Sequence, residues 1–145
     1  MSGPRILLTI SRTWTQWSTV RRAMTTTLER YPDAVLVHGD DPDSDRKAAG
    51  IWKSLGGTQE PVPADWDHCD PEQDVACRKA HRKQRRDGTW YCPTAGLRRN
   101  TAMLESGPDL CLSFIHNRSR GASDCTRKAK AVGILVVPYT TEEHV

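Results

Sequence analysis

The segment LCLSFIHNRSRGASDCTRKAKAVGILVV, residues 110–137, indicates the fold class most clearly. Its first part, Leu110–Ile115, is an apolar run interrupted by a single serine, as is typical of strands buried on both faces. After a polar turn, apolar side chains recur with the spacing of a helix that buries one face, at Ala122, Cys125, Ala129 and Val132. Gly133 ends that helix, and a second apolar run, Ile134–Val137, follows at once. This order predicts two parallel strands joined by a crossover helix.

The same alternation runs through the rest of the chain. Further strands are predicted at Ile6–Ile10, at Ala34–Val37 and, more weakly, around Glu60–Val62. Apolar side chains with helical spacing lie between them, at Trp17, Val20, Met24, Leu28 and Tyr31 before Pro32, and at Ala48, Ile51, Trp52 and Leu55 before Gly56. A shorter helix is predicted around Arg98–Ser106. We therefore expect an open α/β sandwich of three layers, with a mostly parallel sheet of about five strands.

Composition limits the class of protein. With 145 residues, 16.3 kDa, 37% hydrophobic residues and a mean hydropathy of −0.65, the chain is expected to form one domain, residues 1–145. No apolar run approaches the roughly 20 residues of a membrane-spanning helix, and the amino terminus lacks the pattern of a secretory signal. We expect a cytoplasmic protein without membrane contact, whose five cysteines are reduced.

Polar side chains follow the predicted strands at the edge where ligands bind in open α/β sheets. Ser11, Arg12 and Trp14 follow the first strand, and Gly39 follows the second. The segment after the strand at 110–115 contains two arginines, two hydroxyls and a glycine at a predicted helix start, in Arg118, Ser119, Arg120, Gly121 and Ser123. Unpaired N–H groups at a helix start favour an anion, and arginine matches phosphate oxygens. The segment predicts a phosphate or nucleotide pocket, or otherwise a polar turn with solvated arginines.

The order of these segments resembles the SLOG superfamily, and within it the YspA/YpsA-related branch found in bacteria and their phages. The resemblance runs along nearly the whole chain, through RILLTISRTW, VLVHGD, PADW, GLRRNTAML and SRGASD. It implies a single Rossmann-like domain that binds a nucleotide or a nucleotide-derived ligand. The residues that match the family's ligand-binding segments are Ser11, Arg12, Trp14, Gly39, Asp45, Arg99, Asn100, Ser119, Arg120, Gly121, Ser123 and Asp124. From their chemistry, Arg12, Arg118 and Arg120 would hold phosphate, Arg99 and Asn100 the sugar or base, and Asp124 would order the loop.

Two departures from the family pattern bear on function. The stretch Asp40–Ser44 replaces a glycine- and arginine-containing segment, and its carboxylates repel phosphate. Phosphoribohydrolase members of the superfamily carry a glutamate for glycosidic cleavage, and that position falls here at Cys125. A thiol is a poor substitute for a carboxylate. Hydrolysis by that route is therefore not expected, no catalytic residue is assigned, and a sensor or sequestering module is favoured over an enzyme using Asp45 or Asp124.

Residues 65–95 fit neither helical nor strand periodicity and form a predicted insertion. They contain Cys69, Cys77, His81 and Cys92, a sufficient set for one structural zinc ion, which would order a segment with few apolar residues. His68 is an alternative to His81, and free thiols in a flexible loop are the alternative to metal. Cys111 and Cys125 fall on a strand and a helix stripe, where we expect them in the core.

The insertion also carries the basic run RKAHRKQRR, residues 78–86, with six Lys and Arg. The net charge of the chain is +3, and without these six it would be 3 − 6 = −3, so the basic character is local. The run is either a nucleic-acid-binding arm, with Trp66, Trp90 and Tyr91 as stacking surfaces, or a solvated face balanced by nearby acids. Homo-oligomerisation is an expectation taken from relatives in the superfamily.

Overall fold

The computed structural model describes residues 3–141. Its helices and strands, numbered in chain order, are β1 (Arg5–Ile10), α1 (Trp17–Arg30), β2 (Val35–His38), α2 (Asp45–Ser54), β3 (Thr58–Pro61), β4 (Lys83–Gln84), β5 (Trp90–Tyr91), α3 (Ala95–Glu105), β6 (Leu110–His116), α4 (Arg120–Ala131) and β7 (Leu135–Thr141). A single 3-10 turn, Val75–Arg78, precedes β4. Among residues 3–141, no helix combines the length and apolar character that crossing a bilayer requires.

The main sheet has five strands in the order β3-β2-β1-β6-β7, and every neighbouring pair is parallel. The chain builds outward from β1 through β2 to β3, and then crosses back to place β6 on the other side of β1. This arrangement confirms the predicted parallel α/β sandwich and is consistent with a Rossmann-like fold. Because the direction of winding reverses between β1 and β6, their carboxyl ends leave a crevice between the loops that follow them.

Two hydrophobic cores lie on opposite faces of the sheet. Successive side chains of a strand point to opposite faces, and β1 therefore sends Ile6 and Leu8 towards α1 and α2 and Leu7 towards α3 and α4. The larger core is closed by the fully buried Trp52 of α2, whose indole N–H donates to the carbonyl of Thr58 at 2.8 Å. The smaller core contains Cys111 and Cys125, as the sequence predicted.

The ends of the elements differ in detail from the sequence prediction. Helix α4 ends one residue before Val132, which is 65% exposed and does not continue the buried stripe. Gly133 follows with a φ of +85°, a conformation that glycine adopts without steric cost, so the chain turns towards β7 at this point. Strand β7 runs to Thr141, beyond the predicted end at Val137, because every residue as far as Thr141 pairs with β6.

The insertion has little regular structure, as predicted. Besides the 3-10 turn it contains only a two-stranded hairpin, in which Lys83 lies opposite Tyr91 and Gln84 opposite Trp90. Its two ends are joined to each other where the backbone N–H of the fully buried Cys92 donates to the carbonyl of Trp66 at 2.7 Å. Helix α3 begins three residues after Cys92, so the insertion leads directly into a helix of the main domain.

Candidate functional site

A cleft of about 360 Å³ opens at the carboxyl edge of the sheet, between the loops that follow β1, β2 and β6. Its floor is the end of β1, and its walls come from the first turns of α3 and α4, the loop after β2, and the insertion. The predicted ligand-binding residues that line it are Ser11, Arg12, Gly39, Asp45, Arg99, Asn100, Ser119 and Gly121. The fold thus gathers into one crevice side chains that are up to about 110 positions apart in the sequence.

Other predicted ligand-binding residues lie outside the cleft lining, namely Trp14, Arg118, Arg120, Ser123 and Asp124. Trp14 is 3% exposed and packs edge-to-face on Phe114 in the larger core, with ring centroids 5.5 Å apart. Asp124 pairs instead with two cations of its own helix, Arg127 at 2.7 Å and Lys128 at 3.0 Å. Trp14 is therefore a core residue, and Asp124 is engaged within α4.

The amino terminus of α4 faces the cleft. The side chain of Ser119 makes no capping hydrogen bond to the helix, because its hydroxyl is hydrogen-bonded to that of Ser11. Ser11 also accepts the backbone N–H of His116 at 2.9 Å, so one hydroxyl ties the end of β1 to the loop after β6. The first turn of α4 has no acidic residue. Its unpaired N–H groups and the helix dipole give this end of the cleft a positive potential.

Gly121 leaves room at this helix end. A Cβ built on Gly121 meets no other atom within 4 Å, apart from its chain neighbours and the backbone of its own helix. The backbone is thus open to the cleft, and a ligand can approach the N–H groups closely.

Arg99 of α3 crosses the cleft and is held at both ends of its guanidinium. Its Nη1 donates to the carbonyl of Gly39 at 2.5 Å, and its Nε donates to Oδ1 of Asn100 at 3.0 Å. A Cβ at Gly39 would lie 2.2 Å from Nη1 of Arg99, so a side chain at this position would displace the guanidinium. The arginine is therefore fixed in position as a cation inside the crevice before any ligand arrives.

The aspartates after β2 are folded into a turn that neutralises part of their charge. Asp41 pairs with Arg12 at 2.9 Å, and its other oxygen accepts the N–H groups of Asp43 and Ser44. Asp40 pairs with Arg46 at 3.0 Å. The repulsion of phosphate expected from this stretch is thus reduced, and a second cavity of about 390 Å³ adjoins the cleft here.

Asp45, at the start of α2, is a buried carboxyl in the cleft wall, 8% exposed. Burial raises its pKa above the usual value, and this outweighs the N–H of Asp41, which donates to it at 3.2 Å, and the nearby Arg99. The ionised carboxylate therefore costs the folded state free energy.

We expect Asp45→Asn to stabilise the protein at pH 7, by about 0.5–2 kcal/mol. The folded-state pKa lies above the unfolded value of about 3.9. The free energy of unfolding of the wild type therefore falls as pH rises from near 4 through the folded pKa, and asparagine is free of this loss. Urea unfolding of both proteins from pH 4 to pH 8 measures the difference, which should grow with pH and then level off. A difference that shrinks as pH rises would contradict the assignment.

The insertion brings its three predicted cysteines and His81 together. The four ligand atoms all lie within 4.8 Å of one another. Nε2 of His81 is 3.4 Å from Sγ of Cys69 and 3.5 Å from Sγ of Cys92, and Sγ of Cys77 is 3.6 Å from that of Cys92. A tetrahedral zinc site has edges of about 3.5 Å between sulfur and nitrogen and about 3.8 Å between sulfurs. The cluster therefore fits a tetrahedrally bound metal ion.

His68, the alternative ligand considered from the sequence, lies outside this cluster. Its Nδ1 is 2.9 Å from a carboxylate oxygen of Asp65, and the side chain is 78% exposed. His81 is the imidazole that the fold brings to the three thiols.

Arg98 supports the Cys3His cluster from α3. Its Nη1 donates to Sγ of Cys77 at 3.2 Å and of Cys92 at 3.4 Å, and also to Asp74 at 2.8 Å. Hydrogen bonds from Thr94 and Arg98 lower the pKa of Asp74 to about 2. Burial alone would raise the pKa of Cys92, but hydrogen bonds from the same two side chains lower it to about 5. These contacts stabilise the thiolate of Cys92, which is the form that binds metal, whereas burial raises the pKa of Cys69 to about 11.

Part of the basic run is occupied by contacts within the insertion. Arg78 donates to the carbonyl of Pro71 at 3.0 Å, and Arg82 donates to the carbonyl of Asp67. Arg85 stacks over Tyr91 at 5.1 Å. Residues 65–95 also contain as many acids as the run has cations, six of each, namely Asp65, Asp67, Asp70, Glu72, Asp74 and Asp87. The run therefore serves in good part to hold the insertion together.

Sequence reasoning did not assign several cleft residues to the ligand site. Thr9, Thr13 and Met103 line the cleft from the end of β1 and from α3. Cys125, expected in the core, is 2% exposed and also reaches the cleft wall. Trp66 ends the PADW segment of the family resemblance, but it was considered only as a stacking surface for nucleic acid and not as a residue of the sheet-edge site. For Thr13 a signal was present, because it follows the first strand directly.

The fold and the site together define a Rossmann-like α/β domain whose sheet-edge cleft is flanked by an inserted Cys3His cluster. No protein-family model matches the chain. The chain is 33% identical over 141 residues to the Gene 61 protein of Mycobacterium phage D29, covering 93% of this chain and 95% of that protein. It belongs to the same family as this phage protein.

Among solved structures, the chain is similar to one described as the glycotransferase of kitacinnamycin, with a TM-score of 0.43 and 14% identity. The match covers 96% of this chain and 30% of that chain, so the protein spans less than a third of the length of that structure.

Proposed function

We propose that the protein binds a nucleotide or a nucleotide-derived ligand in the cleft beyond the carboxyl end of β1, as a sensor or sequestering module. The observation that carries the proposal is the uncapped start of α4 at this crevice, with open space at Gly121. A phosphate there would accept hydrogen bonds from the first N–H groups of the helix and gain from its dipole. Membership of the SLOG superfamily, suggested by the order of the sequence segments, is part of this proposal.

The other cleft residues have chemistry suited to the rest of such a ligand. Arg99, held by Gly39 and Asn100, presents a fixed guanidinium to a phosphate or a sugar oxygen. Asp45 can accept a hydrogen bond from a ribose hydroxyl or a base amino group. Arg12, paired with Asp41 at the mouth, is 66% exposed in its side chain and can turn towards an anion.

Binding without turnover is favoured over hydrolysis. Cys125 occupies the position of the glutamate that phosphoribohydrolases use, and burial raises the pKa of its thiol to about 11, so it stays uncharged. Asp124 is paired within α4 and does not line the cleft. Of the two carboxylates considered as a catalytic acid or base, only Asp45 therefore lines the cleft.

A nucleic-acid-binding role through residues 78–86 is less favoured than the cleft. Backbone binding depends on Lys and Arg that are free to replace counterions on phosphates. Here several of the arginines serve internal contacts, and the insertion as a whole carries equal numbers of acids and bases.

The metal held by Cys69, Cys77, His81 and Cys92 is proposed to be zinc in a structural role. Three thiolates and one imidazole at tetrahedral spacing form a closed set that leaves no position for a substrate. Soft sulfur ligands in this geometry favour zinc over magnesium or calcium. Bound there, the ion would supply the folding free energy that the insertion lacks in apolar contacts.

The test of the cleft uses Gly121→Val, with Gly50→Val as the matched control. Both glycines lie in helices with no other atom near the added Cβ, and only Gly121 lines the cleft. Isothermal titration with adenosine, guanosine, cytidine and uridine 5′-monophosphates should find saturable binding to the wild type and to Gly50→Val. Binding should weaken at least about tenfold in Gly121→Val, because the side chain fills the phosphate position. No binding by the wild type, or unchanged affinity in Gly121→Val, would overturn the proposal.

A further inference from the structure

Trp66 is the aromatic side chain of the cleft. Among the described residues that line the main cleft or the adjoining cavity, no other is aromatic. Trp66 lines both spaces, as do Arg12 and Arg99. A flat ring placed at this boundary would therefore lie against an indole and close to two guanidinium groups, the surroundings in which bases stack in protein sites.

The indole of Trp66 is fixed in place by contacts with the end of the insertion and the start of α3. It packs on the backbone of Gly96, where an added Cβ would lie 2.9 Å from the ring. Tyr91 meets it edge-to-face, with centroids 6.2 Å apart and planes at 71°. The carbonyl of Trp66 accepts the N–H of Cys92, one of the four residues of the metal cluster.

The indole N–H of Trp66 is available to a ligand. Trp14 and Trp52 donate their indole N–H groups to backbone carbonyls at 2.9 and 2.8 Å. Within residues 3–141, Trp66 has no such acceptor, although its side chain is half-buried. An indole N–H without a protein partner, at the edge of a cleft, can donate to solvent or to a polar atom of a bound molecule.

Two residues of the metal cluster hold the chain at or next to Trp66. Cys69 follows Trp66 by three residues, and Cys92 binds its carbonyl. Arg98 donates to the cysteine sulfurs, while its neighbour Arg99 reaches into the cleft. The contacts that hold the cluster together therefore also help to position Trp66 and Arg99 in the cleft.

We propose that Trp66 determines specificity in the cleft by stacking on the base of the ligand, and that the bound metal ion keeps it in position. The inference rests on the proposed nucleotide binding and extends it to the ligand class. The ligand carries a phosphate at the start of α4 and a flat heterocyclic ring at Trp66. Metal binding in the insertion is then a condition for base recognition as well as for local folding.

The first experiment compares ligands with and without a base. Isothermal titration measures the binding of the same four 5′-monophosphates and of ribose 5-phosphate to the wild type, to Trp66→Ala and to Trp90→Ala. Trp90 belongs to the same insertion, is 54% exposed and lines neither cavity, so its variant is the matched control. Trp66→Ala should weaken the best-bound nucleotide by about 5- to 100-fold and leave ribose 5-phosphate nearly unchanged. Trp90→Ala should change neither.

The outcomes separate this inference from the function on which it rests. If the wild type binds neither nucleotides nor ribose 5-phosphate, nucleotide binding itself is overturned. If Trp66→Ala binds nucleotides as tightly as the wild type, the stacking role is overturned while the cleft proposal stands. An equal loss of nucleotide and ribose 5-phosphate would also overturn it, because the side chain would then shape the cleft without recognising the base.

The second experiment removes the metal ion by dialysis against a chelator, with circular dichroism to verify that the sheet remains folded. The wild type without metal should lose the same 5- to 100-fold in nucleotide affinity, and added zinc should restore it. In Trp66→Ala, metal removal should cause little further loss, because the side chain that the metal positions is already absent. Full nucleotide affinity in the metal-free wild type, or an undiminished metal effect in Trp66→Ala, would overturn the dependence on metal.

Discussion

The wild-type protein is expected to be purified with about one metal ion per chain, and the Cys77→Ser and Cys92→Ser proteins without it. Each replacement removes one of four ligands from a cluster with tetrahedral spacing. Structural zinc sites contribute about 10–16 kcal/mol of apparent binding free energy, and a serine hydroxyl does not replace a thiolate. The metal content should therefore fall to near zero, as measured by native mass spectrometry against the denatured mass.

The insertion should lose its order in the same variants. Trypsin has many sites in residues 78–86, and cleavage there should become much faster than in the wild type, while the strands and helices of the main domain stay protected. Cys111→Ala is the matched control, because Cys111 is fully buried in the core and lies outside the cluster. If the wild type has no metal in chelator-free buffer, or if the serine variants keep their metal, the proposal of a metal site in the insertion is wrong.

Arg99→Ala is expected to produce the largest loss of ligand affinity in the cleft, about 10- to 150-fold for the best-bound 5′-monophosphate. The side chain is already fixed by hydrogen bonds to Gly39 and Asn100, so binding costs it little conformational entropy. Gly39→Ala should reproduce much of this loss without touching the charge, since its Cβ would displace the guanidinium. Isothermal titration measures both variants.

The control for charge is Arg21→Ala, since Arg21 is an exposed arginine of α1 outside the cleft. It should bind the nucleotide like the wild type. Should Arg99→Ala and Arg21→Ala lose affinity equally, the effect would come from the net charge of the protein, and the specific role of Arg99 would be wrong.

The sheet could be predicted from the sequence because each buried strand is a short apolar run and each helix shows an apolar stripe. Those signals are local, and β1, β2 and β6 follow them closely. Where the apolar pattern is weak, the predicted boundaries were less accurate. Strand β3 was predicted around Glu60–Val62 but begins at Thr58, and because it is mostly exposed its sequence has few apolar residues. Val132 has the correct spacing for α4 but falls after its last turn, where nothing covers it.

The cleft was harder to predict from the sequence than the sheet, because it is formed by residues that are far apart in the chain and meet only after folding. Arg99 and Gly39 meet only in the folded chain, and their contact follows from the crossover that places α3 beside the loop after β2. Trp14 was assigned to the ligand by its position after β1, but its ring turns inward onto Phe114. The metal ligands could be predicted because Cys and His are rare residues. Their concentration in one short segment indicated a metal site without knowledge of how the chain folds between them.

The adjacent arginines at the start of α3 limit how the gene can change in length. Each residue of a helix turns the chain by about 100°, so adding or deleting one residue at positions 95–97, inside α3, would rotate both guanidinium groups relative to Cys92. The hairpin turn between β4 and β5 places no residue in the cleft. Natural variation in the length of the insertion should therefore accumulate at residues 85–89 and be absent from residues 95–97, which comparison of related sequences can reveal.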